Sequence, residues 1–257
     1  MADDVGATVV TDTETSTADD DAVVVVEEPP PPPPPRPDPP ADMFISLAAQ
    51  LDNIRRWNEE RGWGFGPADF EAVELTPSSH DDPLVVDLVA VYLPADAELD
   101  GVRRTCHELW TVAAAQHPNA WSWDEKPWDE RLRQTKQVRL LYGIVHEPGI
   151  RRVTVDLGAH WEPHRPNRSI DYRSKDSAHA EILAAAAHFP RWIRAMDGRS
   201  VPYALLSGYQ VTMVEAESWR RLPCLSWNEF RATLSLTAHW SDHYGTRWAS
   251  PVCVRST

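Results

Sequence analysis

The eight residues Leu157-Gly-Ala-His160-Trp161-Glu-Pro-His164 return 79 positions later as Leu236-Thr-Ala-His239-Trp240-Ser-Asp-His243. A self-similar window built from scarce residue types constrains the fold more than anything else in the chain. It marks a duplicated unit as the way the chain is built. The match continues upstream, setting Arg152 against Arg231 and Thr154 against Thr233. Earlier still, Cys106-His107 opens a segment that pairs with Ala178-His179, and Leu-Leu-x-Gly occurs at 140–143 and again at 205–208. The offsets differ because copy one holds extra residues within 121–136 and copy two holds extra residues around 215–227. Insertions confined to connections are what a repeat tolerates, since lengthening a loop costs little.

Each unit reads as helix, strand, strand. Asp100 is placed to cap a helix whose stripe is Val102, Cys106, Trp110 and Ala113, with Pro118 just past its end. In copy two, Asp176 or Ser177 caps the stripe Ala178, Ile182, Ala185 and Phe189, and Pro190 begins a short continuation. Alternation puts Val153, Val155, Leu157, Ala159 and Trp161 on one strand face and Arg152, Thr154, Asp156, Gly158 and His160 on the other. The turn His146-Glu-Pro-Gly149 predicts a hairpin over 137–161. Further strands are expected at 84–93 and 246–254. The resulting expectation is an α+β fold, a mostly antiparallel sheet of six or seven strands with helices on one face. Its element order is like that of ferredoxin-like folds, a plan that hosts many functions and specifies none.

Residues 1–41 follow other rules. They are acidic, then carry seven consecutive prolines from Pro29 to Pro35. Such a composition buries too little apolar surface to offset its ordering entropy, so it is read as a disordered tail ending in a polyproline spacer. A helix opening at Asp42, with Phe44, Leu47, Leu51 and Ile54 on its stripe and Gly62 near its end, begins a single domain over 42–257. The two repeats occupy about 100–172 and 176–250 of it.

Charge is divided unevenly. Residues 1–42 hold eleven acids and one Arg, residues 43–130 seventeen acids and six bases, and residues 131–257 eleven acids and eighteen bases. The basic C-terminal half could draw nucleic acid, but a formal net charge of −14 opposes that, and pairing with the chain's own acidic half is the stronger expectation. Three cysteines, without metal spacing, and no basic-then-apolar leader point to the cytoplasm and to no membrane association.

Two functional readings from different classes follow. The favoured one is a non-catalytic recognition or scaffold protein that binds another macromolecule, most simply a protein. Its anchors are tryptophans of the inserted loops: Trp121, Trp123 and Trp128 in copy one, Trp219 and Trp227 in copy two. It needs no cofactor. The alternative is an enzyme acting on an anionic substrate held by Arg152 and Arg231 at the polar sheet face. Asp156, His160 and His239 would then transfer protons, or His160, His164, His239 and His243 would bind a divalent metal. Histidines four apart on an unbroken strand stand roughly 13 Å from each other, so a shared ion requires the chain to turn after each Trp. Phosphate-loop, dinucleotide and nucleophile-elbow patterns do not occur in the sequence.

Overall fold

A computed structural model describes residues 43–117, 119–122, 138–141, 143–161, 175–198, 200–213, 216–240 and 247–254. The chain divides into units 1–35 and 36–257, and every described residue belongs to the second. The tail expected over 1–41 therefore lies outside the described residues, as does Pro118.

The first helix, α1 (Leu47–Arg61), starts later than the sequence suggested. Ser46, not Asp42, is its N-cap, accepting the Ala49 N–H at 3.3 Å. Gly62 ends it in the left-handed conformation, φ 65°, and donates its N–H to the Asn58 carbonyl. Leu47, Leu51, Ile54 and Trp57 form the buried stripe. After the short α2 (Pro67–Glu71) come β1 (Val85–Tyr92) and α3 (Gly101–Ala115). Asp100 caps α3 by accepting the Arg103 N–H, and Cys106, Trp110 and Ala113 are buried as the stripe predicts.

The chain continues through β2 (Trp121–Ser122), β3 (Val138–Leu140), β4 (Gly149–Asp156), α4 (Ala180–His188) and α5 (Pro190–Ala195). It ends in β5 (Tyr203–Leu205), β6 (Tyr209–Met213), β7 (Ala216–Asn228), β8 (Thr233–Trp240), β9 (Trp248–Ala249) and β10 (Val252–Val254). Helices and a mostly antiparallel multi-strand framework make this an α+β fold. The strands form two sheets rather than one. Sheet A has the order β1-β4-β10; sheet B has the order β2-β8-β7-β5-β9, with β6 on β7 and β3 on β6. Among the described residues only β2 with β8 and β5 with β9 run parallel.

The hairpin expected over 137–161 does not form. β3 pairs with β6 and β4 with β1, so the chain leaves one sheet and enters the other between them. His146, read from the sequence as a turn residue, turns its ring inward instead, and its Nε2 lies 2.9 Å from the Leu93 carbonyl at the end of β1. That contact draws residues 144–148 to sheet A. The two His-Trp windows also differ in backbone. The Asp156 carboxylate accepts the Gly158 N–H at 2.9 Å, which ends β4 and folds Leu157–His160 into a turn. At the matching place Ser235 sits inside β8, which continues through Trp240.

The core lies between α1, α3 and α4 and the strand β1, whose Leu88, Val89, Ala90 and Val91 are fully buried. Each of the Leu and Val side chains contributes roughly 1.5–3 kcal/mol when removed from water. The Trp57 ring of α1 stacks on His188 of α4 at 5.1 Å, and Phe44 meets Phe189 edge-on at 4.8 Å. All nine residues of α4 are buried, as expected of a helix apolar on nearly every side. Its cap is not Asp176 or Ser177: Ser177 bridges to Val252, and the helix begins after His179.

The open edge of β1 is closed by side chains. The Gln50 amide accepts the Val89 N–H at 2.9 Å and donates to the Asp87 carbonyl at 3.3 Å. His188 Nε2 stands 3.1 Å from the Val89 carbonyl, and Thr105 Oγ1 accepts the Leu93 N–H at 2.7 Å. An exposed strand edge invites pairing with foreign chains, and four side chains from α1, α3, α4 and the 146 turn remove that hazard.

Candidate functional site

Three places in the described residues concentrate chemistry. The first is the polar face of sheet A. Asp87 and Thr154 are direct cross-strand partners, and Arg152 lies two residues along the same face. The Asp87 carboxylate accepts from the Thr154 hydroxyl at 2.6 Å, from the Ser78 N–H at 2.5 Å and from Arg152 Nη2 at 3.0 Å; His80 Nε2 stands 3.2 Å away. Burial by itself would raise the Asp87 pKa, but these donors together with the Arg152 charge outweigh it and hold the carboxyl below its usual range. Arg152 also donates to the Ser78 hydroxyl, while its buried Nε has no hydrogen-bond partner among the described residues. A groove of about 260 Å³ adjoins this network, lined by residues 150–154 of β4 and by Ala72, Val73 and Glu74.

The second place is interior. Glu181, only 2% exposed, lies in the first turn of α4, and its carboxylate accepts the His179 N–H at 2.8 Å and the Tyr92 hydroxyl. His179 Nδ1 stands 3.1 Å from the same carboxylate, off the line of a hydrogen bond but at ion-pair distance. Burial would raise the Glu181 pKa; the His179 charge and the donors from His179 and Tyr92 reverse that and hold it at about 2. The Tyr209 ring meets His179 edge-on at 5.3 Å, and the Tyr209 hydroxyl has no partner among the described residues. Burial, then the neighbouring carboxylate, pushes the Tyr92 hydroxyl and the Cys253 thiol up, so both remain protonated. Two residues after His179 and five after Asp176, Glu181 gives no periodic signal. An acid inside an otherwise apolar helix, Ala180 to Ala187, was the available clue.

The third place is the tip of the β7–β8 hairpin. Phe230 is 102% exposed, and Glu229 and Arg231 beside it are also exposed. The turn holding it is fastened locally. The Asn228 side chain accepts the Arg231 N–H at 3.1 Å, Ala232 donates to the Glu229 carbonyl at 3.3 Å, and the Thr233 hydroxyl donates to the Arg231 carbonyl at 3.0 Å. Ala232 takes a left-handed conformation, φ 46°, to close it.

Among the residues singled out from the sequence, Trp123, Trp128, His164 and His243 lie outside the described residues. The backbone places Trp121 in β2, Trp219 in β7 and His239 in β8 opposite Leu222. Trp227 is not on a loop. The insertion assigned to 215–227 is mostly the strand β7, and Trp227 is buried with its ring 5.6 Å from that of His117. Asp156 and His160 do not stand two rungs apart on one strand. Asp156 makes the turn and His160, exposed with φ 59°, closes it. Burial raises the Asp156 pKa, an effect partly offset by the Gly158 N–H and, further down, by the charge of His160. Arg152 and Arg231 are not brought together: one is bound to Asp87 in sheet A, the other lies on the hairpin tip of sheet B. Among the described residues no group of three His, Cys, Asp or Glu side chains could hold a metal ion, and no helix is long and apolar enough to cross a membrane.

No protein family, curated protein or solved structure matches this chain. Its geometry stands alone as the basis for assigning a role.

Proposed function

We propose that the chain is a non-catalytic recognition protein of the cytoplasm whose α+β body presents aromatic anchors to another protein. The observation that carries this reading is Phe230, a large apolar ring wholly in solvent on a turn fastened by three local hydrogen bonds. A rigid turn presents its side chain with little conformational entropy left to lose on binding, and aromatic and Arg side chains dominate the energetics of interfaces. Phe230 and Arg231 supply both on adjacent residues. Trp121, Trp123, Trp128 and Trp219 extend the proposed anchor set, whereas Trp227 serves the core. The three thiols, all unpaired, suit a reducing compartment. The body is further read as two diverged copies of one unit, supported by the repeated sequence window and by α3 packing beside α4.

The test is site-specific photo-crosslinking on the full chain. A benzophenone amino acid at position 230 is expected to give a discrete protein adduct in extract of the source cells. The same group at Arg56, exposed on α1, is expected to give none. Adducts that are equal at both sites, or missing at position 230, overturn the reading.

A further inference from the structure

The link from β3 to β4 carries the chain from sheet B to sheet A, and its residues 144–148 have no regular secondary structure. A glycine stands at each end of this strap in a conformation that side chains rarely allow, Gly143 with φ 82° and Gly149 with φ 151°. Small residues at such positions absorb backbone rotation and serve as hinges. Val145, Glu147 and Pro148 are exposed, whereas the His146 ring turns inward. Its Nε2 lies 2.9 Å from the Leu93 carbonyl, and a carbonyl only accepts, so Nε2 carries the proton. Gly101 permits this approach: a Cβ there would stand 2.9 Å from the same nitrogen. The other ring nitrogen, Nδ1, is then an acceptor, buried with no hydrogen-bond partner among the described residues. A second proton would have to sit there, giving a buried N–H with nothing to receive it. Burial accordingly lowers the His146 pKa. The His179 and Arg151 charges act in the same direction, and the Leu93 carbonyl and Asp100 offset them only in part.

We propose that residues 144–148 form a pH-sensitive strap, fastened to the end of β1 by neutral His146 and released between Gly143 and Gly149 when His146 takes up a proton. The groups facing the ring come from each element packed against it. They are Tyr92 of β1, edge-on at 5.9 Å, and Thr105 of α3, whose hydroxyl is 3.4 Å from Nε2. Asp100 at the head of α3, Arg151 of β4 and His179 ahead of α4 complete the set. Neither carboxylate in the neighbourhood is free to accept from Nδ1. Asp100 already receives the Arg103 N–H and Nε, and Glu181 receives the Tyr92 hydroxyl and the His179 N–H. The second fastening, from Arg151 to the Glu147 carbonyl, carries a cation of its own, so it adds repulsion once His146 is charged. Released, the ring titrates near its ordinary 6.5; fastened, it titrates lower. The strap is therefore fully held above pH 6.5 and loosens as pH falls below that value. Opening bares the Tyr92 ring, over which Arg151 lies at 4.4 Å.

The test is the mobility of a nitroxide spin label on the strap of the full chain. Val145→Cys, 70% exposed in the native residue, carries the label. Cys253→Ala removes the partly buried thiol, and Cys106 and Cys224 are buried. The ratio of mobile to immobile spectral components is expected to rise about fivefold or more between pH 7.5 and pH 5. A second label at Arg56→Cys, exposed on α1, is expected to keep the same spectrum at both pH values. His146→Gln places an amide that can donate to the Leu93 carbonyl and does not titrate, so the strap label in that chain is expected to show no pH dependence. The result holds even if Gln fastens the strap poorly, because the label would then be mobile at both pH values alike. The proposal is overturned if the wild-type strap is equally immobile at pH 7.5 and pH 5, or if His146→Gln loosens on acidification as the wild type does. It is also overturned if the label at position 56 gains mobility to the same extent, which would make the change a general acid loosening of the fold.

Discussion

Replacing Glu181 probes the deepest electrostatic commitment in the molecule. Its carboxylate is buried and ionised, with the Tyr92 hydroxyl, the His179 N–H and the His179 ring gathered around it. Glu181→Gln keeps the volume but removes the charge. Hydrogen bonds to a charged group contribute about 1.5–3 kcal/mol, so the loss at pH 7 is expected near the upper part of that range. Glu181→Ala additionally leaves Tyr92 and His179 unpaired beside a cavity, and is expected to cost about 3–5 kcal/mol. The pH dependence fixes the sign. The His179 charge and the donors around it hold the carboxyl at about 2 in the folded chain, below its ordinary value of 4.5. Its contribution is therefore complete above pH 4.5 and is lost as pH falls from there through about 2, in total about 3 kcal/mol. Urea unfolding followed by tryptophan fluorescence at pH 7, 4.5 and 3 measures this directly. The wild type should lose stability between the two lower values, while the Gln variant should lose less over the same interval. Equal stability of wild type and Glu181→Gln at pH 7, with parallel acid profiles, would refute the reasoning.

Other perturbations test the rest of the framework. Gln50→Leu removes the amide that closes the β1 edge and is expected to cost about 1–3 kcal/mol, read as a lower urea midpoint; an unchanged midpoint contradicts the role given to that edge. His188 is held neutral by burial, its pKa lowered from 6.5 to about 4 despite its bond to Val89, so its contribution is full above pH 6.5 and falls away toward pH 4. His188→Asn should flatten the stability profile across that window, and a profile as steep as wild type would count against it. Gly208→Ala would place a Cβ 2.6 Å from that of His179 and is expected to cost about 1–3 kcal/mol, whereas a melting temperature equal to wild type would show that the α4 entrance yields.

Much of the helical frame was legible in the sequence because helix signals are local. The Asp100 cap, the Gly62 terminator, the stripe Cys106–Trp110–Ala113 and the start at Pro190 all rest on contacts within a few residues. Strand pairing was not legible, because it depends on partners far along the chain. Nothing near Val138–Leu140 says that it joins Tyr209–Val211 instead of the adjacent β4. The alternation through Trp161 correctly marked Leu157, Ala159 and Trp161 as buried, yet Asp156 ends the strand by capturing a backbone N–H, a side-chain event that periodicity does not register. The candidate site was legible only at Arg152 and Arg231. Their separation into two sheets, the Asp87 network and the buried Glu181 cluster all follow from tertiary placement, and Phe230 drew no notice because one exposed Phe has no sequence pattern.

The most direct test of the recognition account is the affinity of the cross-linked partner, once purified, for wild-type chain and for Phe230→Ala, with unfolding curves measured alongside. An anchor at the centre of an interface contributes about 2 kcal/mol or more. The account predicts a loss of affinity of roughly thirtyfold, with folded-state stability unchanged because the ring touches solvent alone. Equal affinity for the two chains would contradict it.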